Sequence, residues 1–169
     1  MERLQADGAL VQLSERLTNS AAFGTLFREG MDLVEETAAY LDGDGRTEAK
    51  ALERSVSLTY ATESMRLTTR LMQLASWLLL HRAVKEGEMT LTQANREKTK
   101  VKLTAADPGA EDMIEKLPPQ LQDLIARSMS LQARVRRLDL TIHAPSAERA
   151  PIGNPLVPQL NRLKAAFEQ

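Results

Sequence analysis

The chain has 169 residues, a formal net charge of −1 and a pI near 6.2. That length suits one domain with its own core, and the near-neutral balance argues against a dedicated nucleic-acid binder, which carries a basic surplus. There is no cysteine and there are only two histidines, His81 and His143, which excludes disulfides, zinc–thiolate sites, Cys nucleophiles and a His-rich metal site.

The N-terminus has Glu2 and Arg3 and lacks an apolar core segment, so it does not read as a signal peptide. The most apolar stretch, Leu71 to Leu80, is about half of the roughly 20 residues a membrane span requires. It also contains Gln73 and Ser76 and ends at His81-Arg82. The expectation is a cytoplasmic protein that makes no membrane contact. Residues 1–18 are mixed, with Ala9 to Leu13 apolar enough to dock on a bundle.

Asn19 and Ser20 have side-chain oxygens suited to capping a helix. After them Phe23, Phe27, Met31, Val34, Ala38 and Leu41 fall on one helical face, with Leu26, Leu33 and Tyr40 as a second stripe. The spacing predicts a helix over 20–41. It stops at Asp42-Gly43-Asp44-Gly45, where glycine can take the left-handed cap conformation. Gly24 and Gly30 inside it each cost about 1 kcal/mol against alanine, which a close neighbouring helix would explain.

From Arg46 to Glu86 there is neither Gly nor Pro. Leu52, Val56, Tyr60, Ser64, Leu67, Leu71, Leu74 and Leu78 continue a stripe, so the prediction is one helix of about 40 residues, about 60 Å long, ended by Gly87. Within it Trp77-Leu78-Leu79-Leu80 points large apolar groups to every side. A helix apolar all round needs cover all round. Two flanking helices cannot supply it, so the segment 91–103, the N-terminal residues or a second subunit must. We therefore expect a homodimer, with Leu71, Leu74, Trp77 and Leu78 divided between core and interface.

Thr90-Leu91-Thr92-Gln93 has the form of a capping box, predicting a short helix over 91–103, although Lys98 to Leu103 alternates and could be extended. Asp107-Pro108-Gly109 reads as a loop. Pro118-Pro119 suits a first helical turn. Leu121, Leu124, Ser128, Leu131, Val135, Leu138 and Ile142 then predict a third helix over 119–143. Four of the seven prolines fall between Ala144 and Pro158. That density predicts a flexible arm over 144–169, following a bundle domain over 1–143. The arm ends in an amphipathic segment through Leu160, Leu163 and Phe167, which either presents a docking motif or folds back on the bundle.

Catalytic patterns are absent. Asp42 to Gly45 is not a calcium loop, because Arg46 and Thr47 stand where such a loop wants a further ligand and glycine. No G-x-S-x-G, P-loop, dinucleotide fingerprint or H-E-x-x-H occurs. Asp32, Glu35, Glu36 and Glu63 lack the Glu-x-x-His pairing of di-iron bundles. His81, a lone histidine, reads as solvated rather than catalytic. The basic clusters Arg96, Lys98, Lys100, Lys102 and Arg134, Arg136, Arg137 leave a helical nucleic-acid-binding or other protein-interaction regulator as the alternative. Glu97 and Asp139 interrupt them and no aromatic surface interleaves, so solvated faces are the preferred reading.

Several runs are similar to one known family. They are Phe27 to Met31, Val34 to Gly43, Tyr60 to Leu79, Arg82 to Val84, Glu86 to Thr90 and Glu97 to Val101. Together they resemble the regulator of CtrA degradation family, an alphaproteobacterial adaptor of the ClpXP protease, over about residues 20–104. The resemblance implies a three-helix bundle that dimerises, a flexible C-terminal arm and no enzymatic activity or cofactor. The fold expected is an all-α, antiparallel three-helix bundle with one long central helix. The resemblance further implies partners: a ClpX unfoldase primed by a response regulator, a cyclic-di-GMP-binding adaptor, and protein substrates among cell-cycle regulators. It implies action at the cell pole. We expect Leu160, Leu163 and Phe167 to anchor the arm on a partner. A second expected surface is the turn from Asp42 to Arg46 with Glu35, Glu36 and Tyr40, in which Tyr40 and Arg46 are the named contacts.

Overall fold

The structure, a computed structural model, describes residues 21–98 and 111–143. Within them six helices follow in order: α1 (Ala21–Asp42), α2 (Asp44–Lys50), α3 (Arg54–Lys85), α4 (Leu91–Lys98), α5 (Glu111–Ile114) and α6 (Pro119–His143). No strand occurs among the described residues. The caps Asn19 and Ser20, the residues 99–103, the loop at Asp107 and the arm 144–169 lie outside them.

The long helices α1, α3 and α6 form the bundle expected from the stripes. Phe23, Leu33, Leu67, Leu74, Trp77, Leu78, Leu121, Leu124, Leu131 and Val135 are its buried centre. Two of the three helix pairs are antiparallel, which leaves the third pair parallel, as any such three-helix bundle must. Glu29 meets Arg134 and Glu36 meets Arg127, so α1 and α6 run antiparallel. Phe23 packs on Trp77 while Tyr40 lies near Tyr60, so α1 and α3 are antiparallel as well. Arg70 reaches Ser128 and Trp77 reaches Asp139, so α3 and α6 run in the same direction. Residues 86–118 are long enough to return the chain along the bundle, which a parallel pair requires.

The single helix predicted from Arg46 to Glu86 is broken. Its main part, α3, has 32 residues, about 48 Å rather than about 60 Å. Ala51 and Leu52 donate to carbonyls three residues back, tightening the end of α2. Glu53 is extended, at φ −60° and ψ 154°, before α3 begins. Nothing in local propensity demands this break. Tertiary contact does: Ala49 and Leu52 turn inward onto the core, and the Tyr40 hydroxyl donates to Glu48 Oε2 at 2.6 Å.

Glycine acts here through space as well as torsion. Gly87 is the one positive-φ residue among those described, at 74°. It forms a Schellman end: Glu88 N–H donates to Ala83 O and Gly87 N–H to Val84 O. Gly43 and Gly45 do not adopt the left-handed conformation expected of them. Gly45 is buried, and a Cβ there would stand 2.5 Å from Tyr60 Oη and 2.7 Å from the Tyr40 carbonyl oxygen. Gly30 does allow a close helix, since a Cβ would meet Leu78 Cδ1 at 2.4 Å. Gly24 has nothing within 4 Å, so close packing does not account for it. The capping box holds: Thr90 N–H donates to Gln93 Oε1 at 3.0 Å and Gln93 N–H to Thr90 Oγ1 at 3.2 Å.

Gly45→Ala is expected to destabilise the fold by about 1–3 kcal/mol, because the blocking atoms include fixed backbone. Chemical denaturation checks this, and an unchanged midpoint contradicts the close approach.

Candidate protein-interaction interface

The central helix α3 is apolar on two sides. Its inner side carries Val56, Tyr60, Leu67, Leu71, Leu74, Trp77 and Leu78 into the core. Its outer side carries Leu58, Met65, Met72 and Leu79, each seven residues from the next. These four are 71%, 73%, 66% and 52% exposed. Each lies two residues from an inner one (Tyr60, Leu67, Leu74, Trp77), and two residues are about 200° of helix rotation. The outer row is thus directed away from the core. It runs about 32 Å along α3.

Between the large residues the same side carries Ala61, Thr62, Thr68, Thr69, Ala75 and Ser76, and no charged residue. Several of its hydroxyls are already engaged within the helix. Thr62 donates to Leu58 O at 3.0 Å, Thr68 to Ser64 O at 2.8 Å and Ser76 to Met72 O at 2.8 Å. Such back-bonding uses the hydroxyl proton, so this side offers fewer free donors than its composition suggests. Ser64, Met65, Thr68 and Thr69 line a shallow groove at its middle. An exposed face with large apolar residues and no charge is the kind of surface that makes this side of α3 the candidate interaction site. Small residues alternating with large ones let a second helix approach closely, and seven-residue spacing is the register of helix pairing.

Trp77-Leu78-Leu79-Leu80 divides accordingly. Trp77 and Leu78 are core, Leu80 is half-buried and Leu79 is exposed. Leu71, Leu74, Trp77 and Leu78 all lie on the inner side, so the large exposed apolar residues of α3 are instead the four named above. Part of the cover expected for this run comes from α4, whose Ala94 is fully buried.

Behind the face, polar groups lock the helices. Trp77 Nε1 donates to Asp139 Oδ1 at 2.8 Å, and Lys98 Nζ meets Asp139 Oδ2 at 2.7 Å. Asp139 therefore ties α3, α4 and α6 together. His81 is not solvated as expected: it is fully buried, stacked on Trp77 with ring centroids 3.9 Å apart, and its Nδ1 lies 2.9 Å from the Trp77 carbonyl oxygen. Burial pushes the His81 imidazole below its ordinary value of 6.5, against opposing contributions from the Trp77 carbonyl and Asp139. Lower in the bundle Arg70 donates to Ser128 Oγ at 2.8 Å, and the Ser128 hydroxyl in turn donates a hydrogen bond to Ile125 O at 2.7 Å. Glu63 offsets part of the burial that acts on the Arg70 guanidinium.

The second expected surface separates into two kinds of residue. Tyr40 is 3% exposed and belongs to the core, so it is not the exposed aromatic of a partner surface. Burial first, and the bond to Glu48 second, push its phenol far above the ordinary range. Arg46 is exposed and paired with Asp42 at 3.1 Å. Glu36 pairs with Arg127 rather than facing outward alone, and this pairing holds its carboxyl low. Leu160, Leu163 and Phe167 lie outside the described residues. The basic clusters are partly engaged by carboxylates, Lys98 on the buried Asp139 and Arg134 on Glu29 at the surface.

No group of three or more metal-ligating side chains occurs among the described residues, and no described helix is long and apolar enough to cross a membrane. The family described as a protein of unknown function (DUF1465) matches residues 14–167. Among solved structures, the chain is similar to the crystal structure of RcdA from Caulobacter crescentus CB15. That match has 49% identity and a TM-score of 0.64, and covers 78% of this chain and 99% of that one. A comparison with curated proteins found no match.

The His81 environment sets a pH dependence. Both states are uncharged at His81 above about pH 6.5, and below it the unfolded chain takes up a proton that the folded one resists. Stability is therefore expected to fall as pH drops below 6.5, and to fall less in a His81→Gln variant. Denaturant titrations at several pH values check this, and equal losses in both proteins contradict it.

Proposed function

The chain belongs to the DUF1465 family, which contains RcdA, and from that premise we propose that it is a non-enzymatic adaptor of regulated proteolysis. In this reading it helps deliver protein substrates, cell-cycle transcriptional regulators among them, to the ClpXP protease. The observation that carries the reading is the 49% identity to RcdA over 99% of that chain. The uncharged outer face of α3 gives it a physical means. An adaptor works by raising the local concentration of one protein at another, which needs contact surfaces rather than reacting groups.

The partners follow the same reading. A ClpX unfoldase primed by a response regulator receives the adaptor, and a further cyclic-di-GMP-binding adaptor joins it, at the cell pole. A second copy of this chain pairs along Leu58, Met65, Met72 and Leu79. Closed two-fold pairing is the commonest way to bury such a self-complementary face. Residues 144–169 act as an arm, with Leu160, Leu163 and Phe167 as its anchors on a partner. Arg46, exposed at the α1–α2 turn, is a candidate contact at the opposite end of α3 from His81. No observation favours nucleic-acid binding: net charge is −1, and Lys98, Arg127 and Arg134 are held by carboxylates.

Two experiments test the proposal. Multi-angle light scattering at micromolar concentration should give a dimer mass, and the double variant Met65→Glu, Met72→Glu should give a folded monomer. A monomeric mass for the unaltered chain contradicts the pairing. Deleting residues 145–169 should leave unfolding and self-association unchanged while reducing ClpXP-dependent degradation of a delivered substrate. Undiminished degradation contradicts the role of the arm.

A further inference from the structure

Two of the four large residues on the outer face of α3 are methionines, and they are its middle pair. Met65 and Met72 are 73% and 66% exposed, whereas Met31 and Met129 are packed against the core. A thioether is apolar and fits irregular contacts. In a chain without cysteine it is also the aliphatic side chain that peroxides convert directly. Leu58 and Leu79 at the ends of the row have no such chemistry.

We infer that Met65 and Met72 are a reversible oxidation site that controls pairing along this face. The inference rests on the proposed reading of the face as a self-association surface. The step is an oxygen transfer from a peroxide. The peroxide O–O bond breaks, a sulfur–oxygen bond forms, and the sulfur loses two electrons. The second peroxide oxygen leaves as water with both protons. The product sulfoxide is polar and chiral. It puts a strong hydrogen-bond acceptor at the centre of a face with few free donors, since Thr62, Thr68 and Ser76 already donate to their own helix. Burying that acceptor in a helix pair leaves it unsatisfied, which opposes association. A two-fold pair brings together two methionines from each copy, so the effect is repeated across the interface. Because pairing covers the sulfurs, oxidation proceeds through the single chain and slows as protein concentration rises. Methionine sulfoxide reductases return the thioether.

The test uses the full chain and hydrogen peroxide. Peptide mass mapping should find Met65 and Met72 oxidised before Met31 and Met129, and more slowly at high than at low protein concentration. Sedimentation equilibrium should show the dissociation constant of the pair rising about tenfold or more after oxidation. Treatment with a mixture of both reductase types should restore it. A Met65→Leu, Met72→Leu variant keeps the apolar shape and should pair as before, with no response to peroxide. If both sulfoxides form and pairing is unchanged, or if the leucine variant weakens equally, the inference is overturned while the pairing stands. If the untreated chain does not self-associate at all, the reading of the face fails, and the inference with it.

Discussion

The architecture depends on one helix that is apolar on two opposite sides. Two flanking helices can cover one side of α3 and its flanks. They pack on Tyr60, Leu67, Leu74 and Trp77, and they leave Leu58, Met65, Met72 and Leu79 facing solvent. A sequence selected only to fold would place charge on that outer side, as the exposed faces of α1 and α6 do with Glu29, Glu36, Arg127 and Arg134. The absence of charge along about 32 Å of the outer side of α3 is the feature on which the proposed pairing rests.

A core of leucine and little else would leave helix register loosely determined, since one Leu layer resembles the next. Here polar groups discriminate between registers. Arg70 with Ser128, and Trp77 with Asp139, fix α3 against α6 at two heights. Sliding by one turn would leave a buried guanidinium and a buried carboxylate without their partners, which is strongly unfavourable. Lys98 then brings α4 onto the same carboxylate. Methionine and leucine on the outer face are therefore displayed by a rigid helix rather than a shifting one.

The long helices were legible because their apolar residues recur at helical spacing. The end of α3 at Gly87 and the capping box at Thr90 and Gln93 were legible because each rests on local chemistry. The break before α3 was not, since Ala51, Leu52 and Glu53 carry no breaking signal and the cause is Tyr40 reaching Glu48 across the turn. Gly45 was noticed as a turn residue, yet its reason is the space taken by Tyr60 and the Tyr40 carbonyl. The direction of α6 against α3 depends on where residues 86–118 travel, which periodicity does not encode. The outer row was available to the eye: counting by sevens from Leu58 finds it. The stronger inner stripe from Leu67 to Leu78 draws attention first. Buried His81 and Asp139 look like surface residues in sequence, because their partners lie on other helices.

The adaptor role proposed for this chain calls for display surfaces and a stable body to hold them, and a bundle of leucine, alanine and methionine suits both. The central claim is that the outer side of α3 meets a second copy. The chain contains no cysteine, so single cysteines can be placed at will. The direct measurement is disulfide formation between copies under mild oxidation. It uses variants with one cysteine at position 58, 65, 72 or 79, beside a control at the exposed position 136 on α6. The account predicts inter-chain cross-links within the α3 set and none at position 136. Cross-links confined to position 136, or none at any position on α3, would contradict it.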